Sequence, residues 1–82
     1  MDVIITKEAQ KQYNHLPKTY QPKIKKKITL LETNPNIGKK LSGNYDGLKS
    51  LKAWPYRIIY QVLDERKEIW IVSILHRQGA YK

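Results

Sequence analysis

Two arginines flank the most apolar part of this 82-residue chain: Arg57, in the run Trp54 to Val62 (WPYRIIYQV), and Arg77, just past the run Glu68 to Leu75 (EIWIVSIL). Both runs are rich in Ile, Val, Tyr and Trp, and the short charged segment Asp64-Glu65-Arg66-Lys67 joins them, the pattern of a central β-hairpin. In an antiparallel hairpin the start of the first strand and the end of the second lie at the same end of the sheet, so the two guanidiniums are expected to converge. A guanidinium fork matches a phosphate with two parallel hydrogen bonds, and two converging forks invite one.

His76, Tyr81 and three lysines, Lys40, Lys49 and Lys52, extend this cationic set. RNA offers a reaction that such a set can promote without metal, because the 2'-hydroxyl is an internal nucleophile toward the adjacent phosphate. The step needs in-line geometry, a base for that hydroxyl, cations on the phosphate as charge accumulates, and an acid for the leaving 5'-oxygen. Arginine suits charge stabilisation. The imidazole of His76 suits proton transfer, and Tyr81 suits stacking on a base or donating a proton. Each also has a plainer reading: His76 as a structural strand-end residue, Tyr81 as a cover for the core, Arg57 as the partner of a carboxylate such as Asp46. Strict alternation puts Arg57 on the face of Ile59 and Leu63, which places it at the open end of that face.

Other chemistries fit poorly. Metal hydrolysis needs clustered His and carboxylate ligands, whereas His15 and His76 are the only histidines and the one acidic pair lies in the turn at Asp64 and Glu65. No Gly-rich phosphate loop and no Ser-His-Asp order is visible, so neither a cofactor nor a resident metal is expected. Cysteine is absent, which excludes disulfides and thiolate metal sites.

Sixteen Lys and Arg against seven Asp and Glu give a net charge of +9, a strong bias toward a polyanion, an anionic membrane or an acidic protein partner. The charge is not a tail: residues 1–41 carry nine lysines against Asp2, Glu8 and Glu32, and residues 42–82 carry seven basic side chains against four acidic. At this length the chain reads as one domain over residues 1–82, burying about 60 to 65 % of its unfolded surface, so a site should be an open groove on a sheet. No apolar run approaches the roughly 20 residues of a membrane span and Met1-Asp2 opens no signal peptide, so a cytoplasmic protein is expected.

The elements that must position these residues follow in order. Val3-Ile4-Ile5 reads as a strand ending at Thr6, a residue suited to cap a helix that runs to about His15. Pro17 stops that helix, and a second opens near Thr19-Tyr20 with Pro22 in its first turn. Tyr20, Ile24, Ile28 and Leu31 recur at helical spacing and bury one face, and Asn34-Pro35 ends the helix. Residues 36–46 read as a loop, Gly47 to Ala53 as a strand with Leu48 and Leu51 partly buried, and Pro55 as the break before the hairpin. The expectation is an α+β layer, β-α-α-β-β-β, with two helices on one face of a mainly antiparallel sheet and the other face left for function. Lys23, Lys25, Lys26 and Lys27 on the second helix read either as a phosphate-tracking stripe or as a solvated face. Trp54 and Trp70 read as core residues more than as stacking platforms.

In order and spacing these residues resemble the RelE/ParE superfamily of toxins from type II toxin-antitoxin modules, and its RelE-like branch more closely. The resemblance spans nearly the whole chain: Leu16-Pro17, Asn34-Pro35, Lys40-Leu41-Ser42-Gly43, Gly47-Leu48 with Leu51, Tyr56-Arg57-Ile58-Ile59-Tyr60, then His76-Arg77 and Tyr81. It implies a metal-independent mRNA endonuclease that enters the ribosomal A site, and a small acidic or amphipathic antitoxin as partner. By position it implies that Arg57 holds the scissile phosphate, that Arg77 assists it, that Tyr81 stacks on the substrate and that His76 occupies a proton-transfer position. One departure stands out. Active relatives carry two basic residues at alternate positions before the strand arginine, whereas Lys49 and Lys52 are three apart around Ser50, so a regular strand cannot aim both into one groove. Lys52 is the better placed of the two, and the general base stays unassigned. A ParE-like gyrase inhibitor with the same fold, and an inactive module that only binds antitoxin, are the competing readings.

Overall fold

Thr6 turns the first strand into the first helix. Its side-chain oxygen accepts the Ala9 N–H at 3.2 Å, and its hydroxyl reaches the carbonyls of Ile71 and Val72 at 3.0 and 3.1 Å. One residue thereby caps a helix and ties its start to the sheet. The computed structural model describes residues 1–41 and 47–76, and within them runs β1 (Asp2–Ile5), α1 (Lys7–Asn14), α2 (Gln21–Thr33), β2 (Lys39–Lys40), β3 (Lys49–Ala53), β4 (Tyr56–Leu63) and β5 (Glu68–His76). The sheet has the order β1-β5-β4-β3-β2, parallel between β1 and β5 and antiparallel elsewhere. The expected α+β layer of two helices on a mainly antiparallel sheet is the architecture found.

The sequence reading missed one strand. Lys39 and Lys40, expected in a loop, pair with Ser50 and Lys49 of β3. Gly38 allows it: its N–H donates to the Tyr60 hydroxyl at 2.9 Å, and that hydroxyl donates to the Pro35 carbonyl at 2.9 Å. A Cβ on Gly38 would lie 2.5 Å from the Tyr60 oxygen and 2.8 Å from the Ser50 carbonyl oxygen, so only glycine lets the backbone approach this closely. A two-residue strand has no alternation to read. β3 also begins two residues later than expected, because Gly47 has φ +85° and turns the chain before the ladder forms.

The spacing of Ile24, Ile28 and Leu31 does bury one face of α2, against Leu51, Ala53, Ile58, Tyr60, Ile69, Ile71 and Ile74 of the sheet. Ile24 and Leu31 are fully buried, so truncating either to Ala should cost about 2–5 kcal/mol. The side chain of Gln21 donates to the Tyr13 and Leu16 carbonyls, closing the turn where Pro17 ends the first helix.

A one-residue bulge sits in β5. Ile59 pairs with Ser73 but the next residue, Tyr60, pairs with Ile71, leaving Val72 as the extra residue. It falls where β1 ends, at Ile5 opposite Ile71. Beyond that point α1 covers the edge of β5, with Gln12 Oε1 accepting the Ile74 N–H at 2.6 Å and Ser73 Oγ donating to Glu8 Oε2 at 3.1 Å.

Candidate nucleic-acid interface

The register of the ladders assigns every basic strand residue to a face. Tyr60, Ile58 and Leu51 belong to the core, so their faces define the helix side of the sheet. Lys49 pairs with Tyr60, and Lys40 pairs with Lys49, which puts both lysines on that helix side. Lys49 Nζ there donates to Asn36 Oδ1 in a short hydrogen bond. Lys52 pairs with Arg57, and Ser50 pairs with Lys39 on one flank and Ile59 on the other, so these five residues occupy the far face.

Of the residues expected at the site, the structure therefore joins Lys52 and Arg57 and separates them from Lys40 and Lys49. Lys39, which sequence reasoning passed over, joins them instead. Lys52 is exposed and Arg57 half-buried. Like charges placed directly opposite across two strands destabilise a sheet, and an anion between them turns that repulsion into a binding contribution.

His76 lies at the same end of the sheet as Arg57 but on the other face. It pairs with Tyr56, and its ring meets the Tyr56 ring edge-on with centroids 5.3 Å apart. Tyr56 in turn meets Tyr20, at the start of α2, with centroids 5.4 Å apart. The three rings form an edge-to-face row under the start of α2, where Lys23 Nζ donates to the Trp54 carbonyl at 2.7 Å. Arg77, Tyr81 and Asp46 lie outside the described residues.

Neither tryptophan joins the core. Trp54, beside a cis peptide bond to Pro55, is 54 % exposed, and half-buried Trp70 stands opposite Gln61 on the far face, donating to Glu68 Oε1 at 3.2 Å. A large apolar side chain in a short strand-rich chain need not be core when period-2 alternation sends it outward. Trp70, one residue on from the core residue Ile69 and paired with Gln61, shows that parity.

Ser50 is buried at 5 % exposure, and among the described residues its Oγ has no hydrogen-bond partner. Such an orphaned hydroxyl costs about 1–3 kcal/mol. The Tyr60 hydroxyl is its opposite: both bonds described above are made, and burial pushes the phenol pKa above its ordinary value of 10.0, with the Gly38 N–H pulling weakly the other way. Among the described residues no three His, Asp or Glu side chains gather as a metal site requires, and no helix is long and apolar enough to cross a membrane.

Two helices back a sheet whose opposite face carries Lys39, Ser50, Lys52 and Arg57, and this defines a small α+β protein with a cationic sheet face. Residues 3–81 match the family described as the ParE toxin of type II toxin-antitoxin system, parDE. The mRNA interferase toxin RelE of Escherichia coli K12 is 32 % identical over 74 residues, which cover 88 % of this chain and 78 % of that protein. The toxin-antitoxin complex RelBE2 from Mycobacterium tuberculosis superposes with a TM-score of 0.86 at 26 % identity, covering 93 % of this chain and 96 % of that one. The archaeal RelE-RelB complex from Pyrococcus horikoshii superposes with a TM-score of 0.77 at 28 % identity, covering 96 % and 97 %. The chain belongs to the RelE/ParE superfamily of type II toxin-antitoxin toxins.

Proposed function

We propose that this toxin cleaves mRNA in the ribosomal A site of the cytoplasm by metal-independent attack of the 2'-hydroxyl on the adjacent phosphate. The observation that carries the reading is the direct pairing of Lys52 with Arg57 on the far face, two fixed cations on one side of a rigid sheet. Arg57 holds the scissile phosphate and stabilises its developing charge, Lys52 binds beside it, and Arg77 and Tyr81 take the assisting and stacking roles that the family resemblance gives them. His76 acts as a positioning residue: its ring packs on Tyr56 and anchors the strand end from which Arg77 departs.

The partner that holds the toxin inactive is a small acidic or amphipathic antitoxin. A groove of about 420 Å³ between the helices and β1 suits its helix, with apolar walls at Val3, Ile5, Tyr13 and Ile28 and a charged rim at Lys25 and Glu32. The relatives whose structures contain an antitoxin support this partner.

A second reading, a ParE-like toxin that inhibits DNA gyrase, is favoured by the description of the matching family. Primer extension on translating ribosomes, run beside a gyrase supercoiling assay with the same preparations, separates the two. Under the nuclease reading Arg57→Ala and Arg77→Ala each lower cleavage by about 10²-fold or more, the scale of losing one preorganised donor, while ribosome binding changes much less. Intact mRNA, inhibited supercoiling and toxicity that survives both substitutions would establish the gyrase poison instead.

A further inference from the structure

We infer that Ser50 and Lys39 complete the phosphate site of Lys52 and Arg57: Ser50 Oγ is the uncharged donor to a phosphate oxygen of bound RNA, and Lys39 holds the neighbouring phosphate. The inference deepens the nuclease reading and rests on it. Ser50 and Lys52 share the far face two residues apart, about 6.6 Å along the strand at 3.3 Å per residue, and Lys39 stands directly beside Ser50 on β2. The site thus has two rows, Lys39–Ser50 and Lys52–Arg57.

Ser50 is an odd choice for a buried strand position, because alanine would fill nearly the same volume without stranding a hydroxyl. Its row neighbours do not offer it an acceptor: lysine side chains only donate, and Ile59 is apolar. An anionic oxygen placed between the rows accepts from Ser50 Oγ and from both lysines at once. Lys39 and Lys52 are exposed and flank Ser50 on the same face, so a phosphate held by both lies over the serine. Gly38 completes the arrangement, since its close approach to the Ser50 carbonyl is what seats Lys39 in register.

The test uses the full chain with translating ribosomes, and compares Ser50→Ala, Ser50→Cys, Lys39→Ala and Arg57→Ala for cleavage rate and for thermal unfolding. Ser50→Ala should unfold at the wild-type temperature or above it and yet cleave about tenfold or more slowly, in kcat rather than KM. Ser50→Cys, a weaker donor of similar size, should fall between the two. Lys39→Ala should weaken binding and lower the log–log salt slope by about one. Wild-type cleavage by Ser50→Ala beside an impaired Arg57→Ala would overturn this inference and leave the nuclease reading standing. A lowered unfolding temperature for Ser50→Ala would overturn it too, by revealing a structural partner for the hydroxyl. Intact mRNA with the wild-type protein would overturn both readings.

Discussion

His76 and Arg57 stand at the same end of the sheet with β4 and β5 side by side, yet the pleat sends them to opposite faces, His76 onto Tyr56 and Arg57 toward Lys52. A proton carried by His76 would have to cross the sheet. His76→Ala should therefore slow cleavage by up to about 10²-fold through misplacement of the strand end, while His76→Phe, which keeps a ring against Tyr56, should retain most of the activity. The pH–rate profile of His76→Phe should match the wild type. Loss of a limb of that profile would instead return His76 to proton transfer.

The cationic end of the far face, with Lys39, Ser50, Lys52 and Arg57, is suited to phosphates rather than to base edges, so under this reading the codon is presented by a partner. Free RNA should be cut far more slowly than mRNA on the ribosome. Comparable rates for the two, measured at one salt concentration, would contradict the ribosome-dependent reading.

How much of this was legible in the sequence depends on the length of the pattern that carried it. Thirteen residues of α2 hold Ile24, Ile28 and Leu31, and that part of the face was read correctly, whereas Tyr20, expected with them, is the half-buried residue that precedes the helix. The β4–β5 hairpin and the break at Pro55 were legible for the same reason, from long β-branched runs ended by punctuation. β2 was not, because two residues show no period and its cause is a close approach of Gly38 to Tyr60, 22 positions away. The parity of Lys52 with Ser50 was legible from i, i+2 spacing. The side taken by Lys39 and Lys40 was not, since it follows from a pairing that only the tertiary fold creates. The bulge at Val72 has no Gly or Pro to mark it, so the face taken by the end of β5 was not legible in the sequence.

Tyr60 ties the loop after α2 to β2 through one hydroxyl. Tyr60→Phe should cost about 1–3 kcal/mol, because the Gly38 N–H and the Pro35 carbonyl both lose a partner. The raised phenol pKa adds a pH signature: the fold favours the neutral phenol, so this stability is present below the ordinary value of 10.0 and is lost as pH rises through the higher folded-state value. Alkaline denaturation followed by circular dichroism should show wild type and Tyr60→Phe converging above pH 10. Parallel curves across that range would refute the linkage.

Ile5 is 41 % exposed on the wall of the groove between the helices and β1 and lies away from the cationic face. Ile5→Asp should weaken antitoxin binding by about tenfold or more and leave cleavage by the free toxin unchanged, the desolvation of a carboxylate opposing an apolar helix. Unchanged affinity in titration calorimetry would move the antitoxin to another surface.

The extra residue in β5 has a consequence for how such a sheet can diversify. Upstream of Val72 the odd-numbered residues Ile69 and Ile71 point into the core, and downstream the even-numbered Ile74 does, with His76 following it. Deleting Val72 would close the bulge and leave Leu75 and His76 on their present faces, whereas drawing Val72 into the ladder would shift the register by one and exchange them, delivering an imidazole to the face of Arg57 and a leucine to Tyr56. Which side chain the strand end presents beside Arg57 is thus set by whether one residue is paired or looped out, while the hairpin, its turn and its upstream half stay as they are.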